Sequence, residues 1–282
     1  MSTGQGAPKL DLIIAARNEE SYIGGCLQSL LDQDAKSFTL QVFVAVNAST
    51  DKTTEVALTY KEKFQARGWA LNVLDVPVAG KVNALNAADQ VSSGGIRVYL
   101  DADVRLKAEL LRQLHAALDT DVPLYATGTL QVAPAQSWVT RQYASLWTQL
   151  PFVKGGAVGA GLFAVNSAGR ARWAEFPNII SDDTFVRLCF RPDERIEVPA
   201  CYIWPMIEGL RNLIRVRRRQ DAGVEEIAQN YPDMLKNEGK ATLGKGELLR
   251  LLLKNPVGFC VYAVVHVAVR LRPASKEWTR GR

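Results

Sequence analysis

Hydrophobic runs of strand length alternate with segments of helical period along the first hundred residues. The first run, residues 10–16, is apolar except at Asp11, as expected for a strand buried in a parallel sheet. Apolar side chains from Ile23 to Leu31 then recur at helical spacing, with Asn18 as the expected N-cap. This alternation needs parallel crossovers, so it predicts an α/β fold with an open, mostly parallel, doubly wound sheet and helices on both faces. The other strands are predicted at 40–46, 71–76 and 96–100, and the other helices at 52–66, 81–91 and 108–118.

The second half of the chain has a less regular pattern. Its most apolar stretch is 247–271, and the segment 207–220 is amphipathic and strongly basic. We therefore expect residues 221–282 to form a helical C-terminal extension. Strands are predicted at 125–133 and 162–165, and helices at 138–150, 181–190 and 207–220.

Composition narrows the functional classes. The 282 residues are 48% hydrophobic, which supports a packed core and excludes a disordered chain. A net charge of +5 favours anionic partners such as phosphates, nucleotides or acidic lipids. No nucleic-acid-binding module accompanies this charge, so a nucleic-acid partner is not expected. The four cysteines lack CxxC spacing and the N-terminus lacks the apolar core of a signal peptide, which together predict a reduced, cytoplasmic protein.

Two aspartates end the fourth predicted strand. Asp101 and Asp103 lie two residues apart, so in an extended segment their side chains point the same way. Together they can hold one hard cation, Mg²⁺ or Mn²⁺, that bridges a diphosphate. The alternative is a pair of solvated loop acids. The carboxyl end of a buried strand is where ligands bind in open α/β sheets, and this favours the metal site.

Two basic segments favour binding of phosphate groups. Gly80 and Lys81 open the third predicted helix, where free N–H groups and the helix dipole attract an anion. The segment 211–219 holds five arginines, including Arg218 and Arg219. An ordinary glycine turn and a solvated basic face near anionic lipid are the respective alternatives.

Asp182 and Asp183 start a later predicted helix. Either carboxylate could accept the proton of a substrate hydroxyl as a general base. A helix N-terminus stabilises a carboxylate, so we expect a lowered pKa there. The alternative is that both acids only cap the helix.

Other cofactor signals are weak. Gly159–Ala164 matches the pattern GxGxxA, but it lacks the preceding strand and the following helix that a dinucleotide site needs. His115 and His266 stand alone in helical or apolar segments, and no His/Cys cluster suggests zinc.

Four ordered motifs carry a resemblance to a known family. They are IIAARNEESYIGGCLQSLLDQ (13–33), VNASTDKT (46–53), GKVNALN (80–86) and YLDAD (99–103). The chain resembles family 2 glycosyltransferases, which have the GT-A fold. Looser matches, GAGLFAVNSAGRARW, ISDDTFVRL and LRNLIRVRRR, extend the resemblance to about residue 220. The resemblance implies a GT-A domain at 1–220, with a donor-binding half at 8–104 and an acceptor-binding half at 105–220.

The resemblance also implies an activity. Similar enzymes transfer a sugar from a nucleotide-diphosphate sugar, with inversion, to an acceptor hydroxyl, and they use Mn²⁺ or Mg²⁺. A UDP-sugar is the expected donor, and a glycan or lipid-linked molecule the expected acceptor. Asp101 and Asp103 correspond to the family's DxD pair, of which the second binds the metal directly. Asp183 corresponds to the general base, and Asp182 to its acidic neighbour. The implied donor-binding residues are Ala16, Arg17, Glu19, Asn47, Asp51, Lys81, Asp101, Arg218 and Arg219.

Departures from the family pattern refine this expectation. Asn47 lies where many relatives have an aspartate pair, which weakens the preference for uridine. The QxxRW motif of processive synthases is missing at 216–220, so a non-processive enzyme is expected. Two alternatives stay open: a sugar-1-phosphate nucleotidyltransferase, whose Gly-rich loop is absent at 16–20, and a non-catalytic membrane-bound scaffold.

The C-terminal extension suggests contact with a membrane. Residues 256–269 contain no Asp, Glu, Lys or Arg, with His266 as the one side chain that titrates near neutral pH, and they are too short to span a bilayer. With the basic residues that follow, they predict an interfacial helix, and hence peripheral contact through 247–282 with the cytoplasmic face of the inner membrane. The alternative is a helix packed on the domain or at a homodimer interface. The basic residues are Arg270, Arg272, Lys276, Arg280 and Arg282.

Overall fold

The protein forms one eight-stranded sheet covered by helices, as described by a computed structural model for residues 9–34, 37–239 and 243–271. The strands are β1 (Lys9–Ala16), β2 (Thr39–Asn47), β3 (Ala70–Val76), β4 (Ile96–Asp101), β5 (Arg105–Leu106), β6 (Tyr125–Val132), β7 (Leu162–Asn166) and β8 (Arg195–Trp204). The helices are α1 (Ile23–Leu31), α2 (Thr53–Leu58), α3 (Lys61–Ala66), α4 (Lys81–Val91), α5 (Leu110–Leu118), α6 (Trp138–Trp147), α7 (Ser167–Arg170), α8 (Asp182–Leu188), α9 (Leu210–Asn230), α10 (Lys245–Lys254) and α11 (Pro256–Arg270), with 3-10 turns at Pro192–Glu194 and Pro232–Asn237.

The strand order is β3-β2-β1-β4-β7-β6-β8-β5. The first four strands in this order are parallel neighbours, and β7 then joins β4 in the antiparallel direction. Consequently β1, β2 and β4 end at the same edge of the sheet. The α/β fold class of the sequence analysis is confirmed, as a mixed sheet with a parallel first half.

Both faces of the sheet are buried, which explains the uninterrupted apolar runs of its first strands. Alternate residues of β1 point to opposite faces, so Leu12 belongs to the apolar cluster that includes α1 and α5, whereas Ile13 belongs to the cluster that includes α4 and α8. The one acid in β1, Asp11, is fully buried. Its carboxylate accepts hydrogen bonds from the Ser92 hydroxyl (2.6 Å) and from the N–H groups of Ser93 and Gly94 (2.8 and 2.6 Å). This network ties the end of α4 to the first strand.

The structure differs from the sequence prediction in several places. The segment 52–66 forms two helices, because the Thr59 hydroxyl and the Tyr60 N–H bond carbonyl groups three residues back and interrupt the helical ladder. Asn18 caps no helix: it has a positive φ of 52°, and its Oδ1 accepts the Thr50 N–H. Strand β8 was not predicted.

A layer of helices α6, α9, α10 and α11 packs beside the sheet, around a third apolar cluster. The apolar stretch 247–271 is broken at Asn255, whose side chain caps α11, and Pro256 begins that helix. Helix α9 continues past residue 220, where the sequence analysis divided the chain. None of the helices described has the length and apolar character needed to cross a membrane. The basic residues Arg272, Lys276, Arg280 and Arg282 lie outside the described residues.

Candidate active site

The carboxyl ends of β1, β2 and β4 open into a cavity of about 280 Å³. A smaller pocket of about 150 Å³ adjoins it and shares Lys81 and Asp101 with it. Asp182 and Asp183 line the smaller pocket. The cavity therefore brings together most of the residues singled out in the sequence. Those that line the larger cavity are Ala16, Arg17, Glu19, Asn47, Lys81, Asp101, Asp103 and Arg219.

Two loops form the cavity edge beside β1 and hold each other by hydrogen bonds. The Asn18 N–H donates to Ser49 Oγ (2.9 Å), and the Glu19 N–H donates to Thr53 Oγ1 (2.7 Å). Asp51 accepts the N–H groups of Glu20 (3.2 Å) and Thr53 (3.1 Å), and it is not among the residues that line the cavity. Asp51 thus fixes the two loops at the start of α2, whereas Arg17 and Glu19 face the cavity.

Asn47 holds the turn that leads into α4. Its Nδ2 donates to the Val78 carbonyl (2.6 Å), and its Oδ1 accepts the Gly80 N–H (2.6 Å). Gly80 has a φ of 137°, which side-chain-bearing residues rarely adopt. The amide side chain that replaces an aspartate of the family pattern therefore positions Lys81, the first residue of α4.

Lys81 joins the two acidic segments. Its Nζ lies 2.9 Å from Asp101 Oδ1 and 3.0 Å from Asp182 Oδ2. Burial alone would lower the pKa of Lys81, but the neighbouring carboxylates Asp101, Asp182 and Asp183 raise it above its usual value. The ammonium group is therefore charged at neutral pH, and it links the end of β4 to the start of α8.

Asp183 has a raised pKa. Desolvation and the adjacent carboxylate of Asp182 together raise it to about 6, against the opposing effects of Lys81 and of a hydrogen bond from the Thr184 N–H (2.7 Å). The lowered pKa expected at a helix N-terminus is thus wrong. A carboxylate with a pKa near 6 is a stronger base than an ordinary aspartate and is still ionised at neutral pH.

Asp101 and Asp103 supply the oxygen ligands that a hard cation prefers. Both line the larger cavity. In the residues described, no group of three or more His, Cys, Asp or Glu side chains is arranged to hold a metal ion. Two carboxylates nevertheless fit Mg²⁺ or Mn²⁺ chemistry, because Mg²⁺ is commonly held by one or two carboxylates together with water and substrate phosphates.

The arginines of the segment 211–219 point to two different parts of the structure. Arg217 and Arg219 line the cavity. Arg218 instead donates to the carbonyl groups of Ala268 (2.6 Å) and Val269 (3.4 Å) at the end of α11. The predicted donor-binding pair Arg218 and Arg219 is therefore separated, and only Arg219 reaches the cavity.

Sequence reasoning missed the apolar part of the cavity. Trp147 and Trp204 stack with ring centroids 5.7 Å apart, and both line the cavity with Tyr143, Ile207 and Val216. Tyr143 and Trp147 lie in the predicted helix 138–150, but Trp204 lies outside every predicted element. Their convergence depends on β8, which was not predicted.

Comparison with known proteins identifies the family. The profile described as glycosyl transferase family 2 matches residues 11–173, more than half of the chain. The chain belongs to this family. Membership of this family favours sugar transfer over the two alternatives that the sequence left open, nucleotidyl transfer and a non-catalytic scaffold.

Two curated relatives of this family member are beta-monoglucosyldiacylglycerol synthases. The protein from Nostoc sp. is 26% identical over 253 residues, which cover 80% of this chain and 50% of the relative. The protein from Synechocystis sp. is 26% identical over 147 residues, which cover 50% of this chain and 28% of the relative. The chain thus spans half or less of the length of these relatives.

Solved structures confirm the GT-A-like fold. The mannosyltransferase PcManGT from Pyrobaculum calidifontis, in complex with GDP-Man and Mn²⁺, has a TM-score of 0.59 at 19% identity, covering 96% of this chain and 77% of that one. Staphylococcus aureus TarS 1–349, in complex with UDP-GlcNAc, has a TM-score of 0.55 at 17% identity, covering 93% and 81%. At these identities the likeness concerns the fold alone.

Proposed function

We propose that the protein is an inverting, non-processive glycosyltransferase that moves a sugar from a nucleotide-diphosphate sugar to an acceptor hydroxyl. The observation that carries this proposal is Lys81, whose ammonium group contacts both the strand-end acid Asp101 and the helix acid Asp182. These contacts bring the proposed diphosphate-binding site next to the helix that carries the proposed general base. Each half of the reaction then has its own set of side chains.

The donor is held by the strand-end loops. Ala16, Arg17 and Glu19 bind the base and ribose, and Asn47 and Asp51 shape the loops beside them. Lys81, at the start of α4, and Arg219 supply positive charge for the diphosphate. A UDP-sugar is the expected donor. Structural neighbours carry UDP-GlcNAc or GDP-Man, so the donor base is part of the proposal and not of the fold assignment.

Asp103, assisted by Asp101, would hold Mn²⁺ or Mg²⁺. When bound, the cation neutralises charge that develops on the diphosphate as the sugar leaves. Lys81 already contacts Asp101. Its ammonium group and the cation would therefore together offset the negative charge of the two carboxylates and the diphosphate. Mn²⁺ in the complex of PcManGT is in keeping with this chemistry.

Asp183 acts as the base. Its carboxylate removes the proton of the acceptor hydroxyl, and the oxygen attacks the anomeric carbon on the face opposite to the diphosphate. A single displacement of this kind inverts the configuration. Desolvation and Asp182 raise the pKa of Asp183, which improves it as a base at neutral pH.

Peripheral contact with a membrane forms a second part of the proposal. Helices α10 and α11 expose a row of large apolar side chains, including Leu249, Leu253, Val264 and Val267. Residues 245–271 contain four basic residues and one acid, Glu247, so an anionic lipid surface matches both the apolar row and its charge. The cytoplasmic face of the inner membrane is the location we expect; packing of this row in a homodimer is the alternative.

Donor binding tests the first part. Isothermal titration of UDP-Glc, UDP-GlcNAc and GDP-Man, with and without Mn²⁺, should reveal one donor that binds only with the metal. Asp103→Ala should abolish the metal-dependent binding, while Asp193→Ala, which removes a surface acid outside the cavity, should leave it intact. The absence of binding by any of these donors, with the wild-type protein folded, would count against the proposal.

Vesicle sedimentation tests the second part. The protein should sediment with phosphatidylglycerol vesicles and much less with phosphatidylcholine vesicles. Leu253→Glu should release it, whereas Val122→Glu, at an exposed apolar residue elsewhere, should not. Equal sedimentation of the two variants would show that this face does not contact the bilayer.

A further inference from the structure

The larger cavity has two unlike parts. Its polar residues come from the strand ends and from the start of α4, as described above. The remaining lining is an apolar wall that we define by Tyr143 and Trp147 of α6, Trp204 of β8, Ile207 after β8, and Leu213 and Val216 of α9. A nucleotide-diphosphate sugar is polar along most of its length, and the strand-end groups already account for its charges.

The composition of the apolar wall indicates an alkyl ligand. Aromatic rings alone would also suit the flat face of a sugar. Ile207, Leu213 and Val216, however, offer only aliphatic surface, which gains nothing from hydroxyl groups and favours contact with hydrocarbon. Concave apolar surface beside a few polar groups is typical of a ligand site that binds both ends of an amphipathic molecule.

The apolar wall reaches the proposed base. Trp204 and Val216 line the larger cavity and also the smaller pocket that contains Asp183. A molecule whose hydroxyl lies at Asp183 can therefore continue directly along the wall. The side of the cavity that holds the donor is not needed for this path.

The helices of the apolar wall are fixed to the apolar face of α10 and α11. The ring of Tyr143 stacks on Tyr262 of α11 with centroids 5.2 Å apart. At one end of α11 the Asn255 Nδ2 donates to Ser145 Oγ of α6 (2.7 Å), and at the other end Arg218 of α9 donates to two carbonyl groups. One layer of helices thus carries the cavity wall on its inner side and the exposed apolar row on its outer side.

From these observations we infer that the acceptor is a lipid, whose hydroxyl-bearing headgroup lies at Asp183 and whose alkyl chain lies along the apolar wall. This inference rests on the proposed function and adds the class of acceptor and the residues that recognise it. The exposed row of α10 and α11 would then bring the cavity next to the bilayer from which the lipid comes. Val216 and Ile207 are the residues that select for the chain.

Binding of alkyl glucosides of increasing chain length tests the inference. We would titrate glucose and the hexyl, octyl and decyl β-glucosides into the protein, each below its critical micelle concentration. The protein would first be saturated with Mn²⁺ and with the nucleoside diphosphate that the donor leaves after sugar transfer. Affinity should rise about fourfold per methylene group, the increase expected for burial of a CH₂ group. Affinities independent of chain length would overturn the inference, and dependence on the glucose unit alone would indicate a sugar acceptor instead.

Matched variants locate the binding. Val216→Ser should weaken decyl glucoside binding about tenfold and reduce the dependence on chain length. Val224→Ser, at an exposed valine of the same helix outside the cavity, should change neither. Leu253→Ser should also change neither, since it alters the outer face of the helical layer. If Leu253→Ser lost the chain-length dependence and Val216→Ser kept it, the glucoside would bind the outer face of the helical layer. That result would refute the inference that the alkyl chain lies along the apolar wall.

Nucleotide binding in the same samples separates the inference from the proposed function. If nucleotide binds with Mn²⁺ but the alkyl chain adds no affinity, the acceptor class is wrong and the transferase proposal stands. If nucleotide does not bind to folded wild-type protein, the proposed function fails, and the acceptor inference fails with it. Val224→Ser and Leu253→Ser should retain nucleotide affinity within about twofold of wild type, because a surface change far from a ligand is close to neutral.

Discussion

The donor side of the cavity and the helical layer opposite hold their residues by different means. At the strand ends, side chains bond to backbone groups of neighbouring loops: Asn47 to the turn before α4, and Asn18 and Asp51 to each other's segments. In the helical layer, apolar side chains pack on one another, as in the Tyr143–Tyr262 stack. Polar contacts of α11 with this layer occur near its ends, at Asn255 and Arg218.

This difference suggests a division of labour. Backbone-directed hydrogen bonds fix the charged groups in place, as a step with developing charge requires. A packed apolar surface tolerates exchange of one side chain for another of similar size, so it can change its ligand without moving the charged groups. Lys81 and Asp183 lie where the two regions meet, and substitutions there should have the largest effects.

Asp183→Asn should have the largest effect on catalysis. The amide cannot accept the acceptor proton, so turnover should fall on the order of a thousandfold, the scale of general base catalysis. Donor affinity should stay close to that of wild type, because the donor is held from the strand-end side. Turnover and the dissociation constant of the donor, measured on the same preparation, check both expectations.

The surface variant Asp193→Asn serves as the control for Asp183→Asn, and it should keep full turnover. Normal turnover in Asp183→Asn would remove this residue from the proposed role. Equal losses of turnover and of donor affinity would instead show that Asp183 belongs to the donor site.

Lys81→Met should come next, because it removes a charge that Asp101 and Asp182 share. The variant leaves the carboxylates of Asp101 and Asp182 without their common partner and leaves the diphosphate without a cationic side chain. We expect donor affinity to fall about a hundredfold, as when one member of a desolvated charge pair is removed. Titration calorimetry would measure the fall, and Lys61→Met, on exposed α3, should show none.

The sequence predicted the donor side better than the helical layer, for a physical reason. A strand buried on both faces is marked by its own apolar run, and the acids at its end lie close to it in the chain. Asp101 and Asp103 could therefore be placed from residues 96–103 alone. Spacing and position predicted a cation site at Asp101 and Asp103 and a base at Asp182 or Asp183, and the family motifs then assigned the base to Asp183; these roles stay predictions.

Strand β8 could not be predicted because little of its stability is local. Its sequence, RIEVPACYIW, contains a proline and mixes charged with apolar residues. It is held by parallel pairing with β6, interrupted by a register shift at Gly128/Thr129. The apolar wall depends on β8, so it was missed as well. Similarly, the spacing of the arginines gave no sign that α11 would cover Arg218.

The dependence of turnover on pH should show a smaller effect, which reports the ionisation of Asp183. Desolvation and Asp182 raise the pKa of Asp183 to about 6, so the active ionised form is lost as the pH falls through that value. Turnover should decline about fivefold between pH 6 and pH 5 and level off above pH 7. An acid limb centred near pH 4 would mean that Asp183 has an ordinary pKa when substrates are bound.

Arg218→Ala should have the smallest effect, and it separates the two regions most clearly. Arg218 contacts the end of α11, so its loss should lower the free energy of unfolding by about 1 kcal/mol, the net value of a typical hydrogen bond. Donor affinity should not change. Arg219→Ala, one residue along the same helix, should do the opposite: donor affinity should fall severalfold while the urea midpoint stays near that of wild type. If both substitutions weakened donor binding equally, the arginine run would act as one phosphate-binding surface, and the separation between donor side and helical layer would not hold at α9.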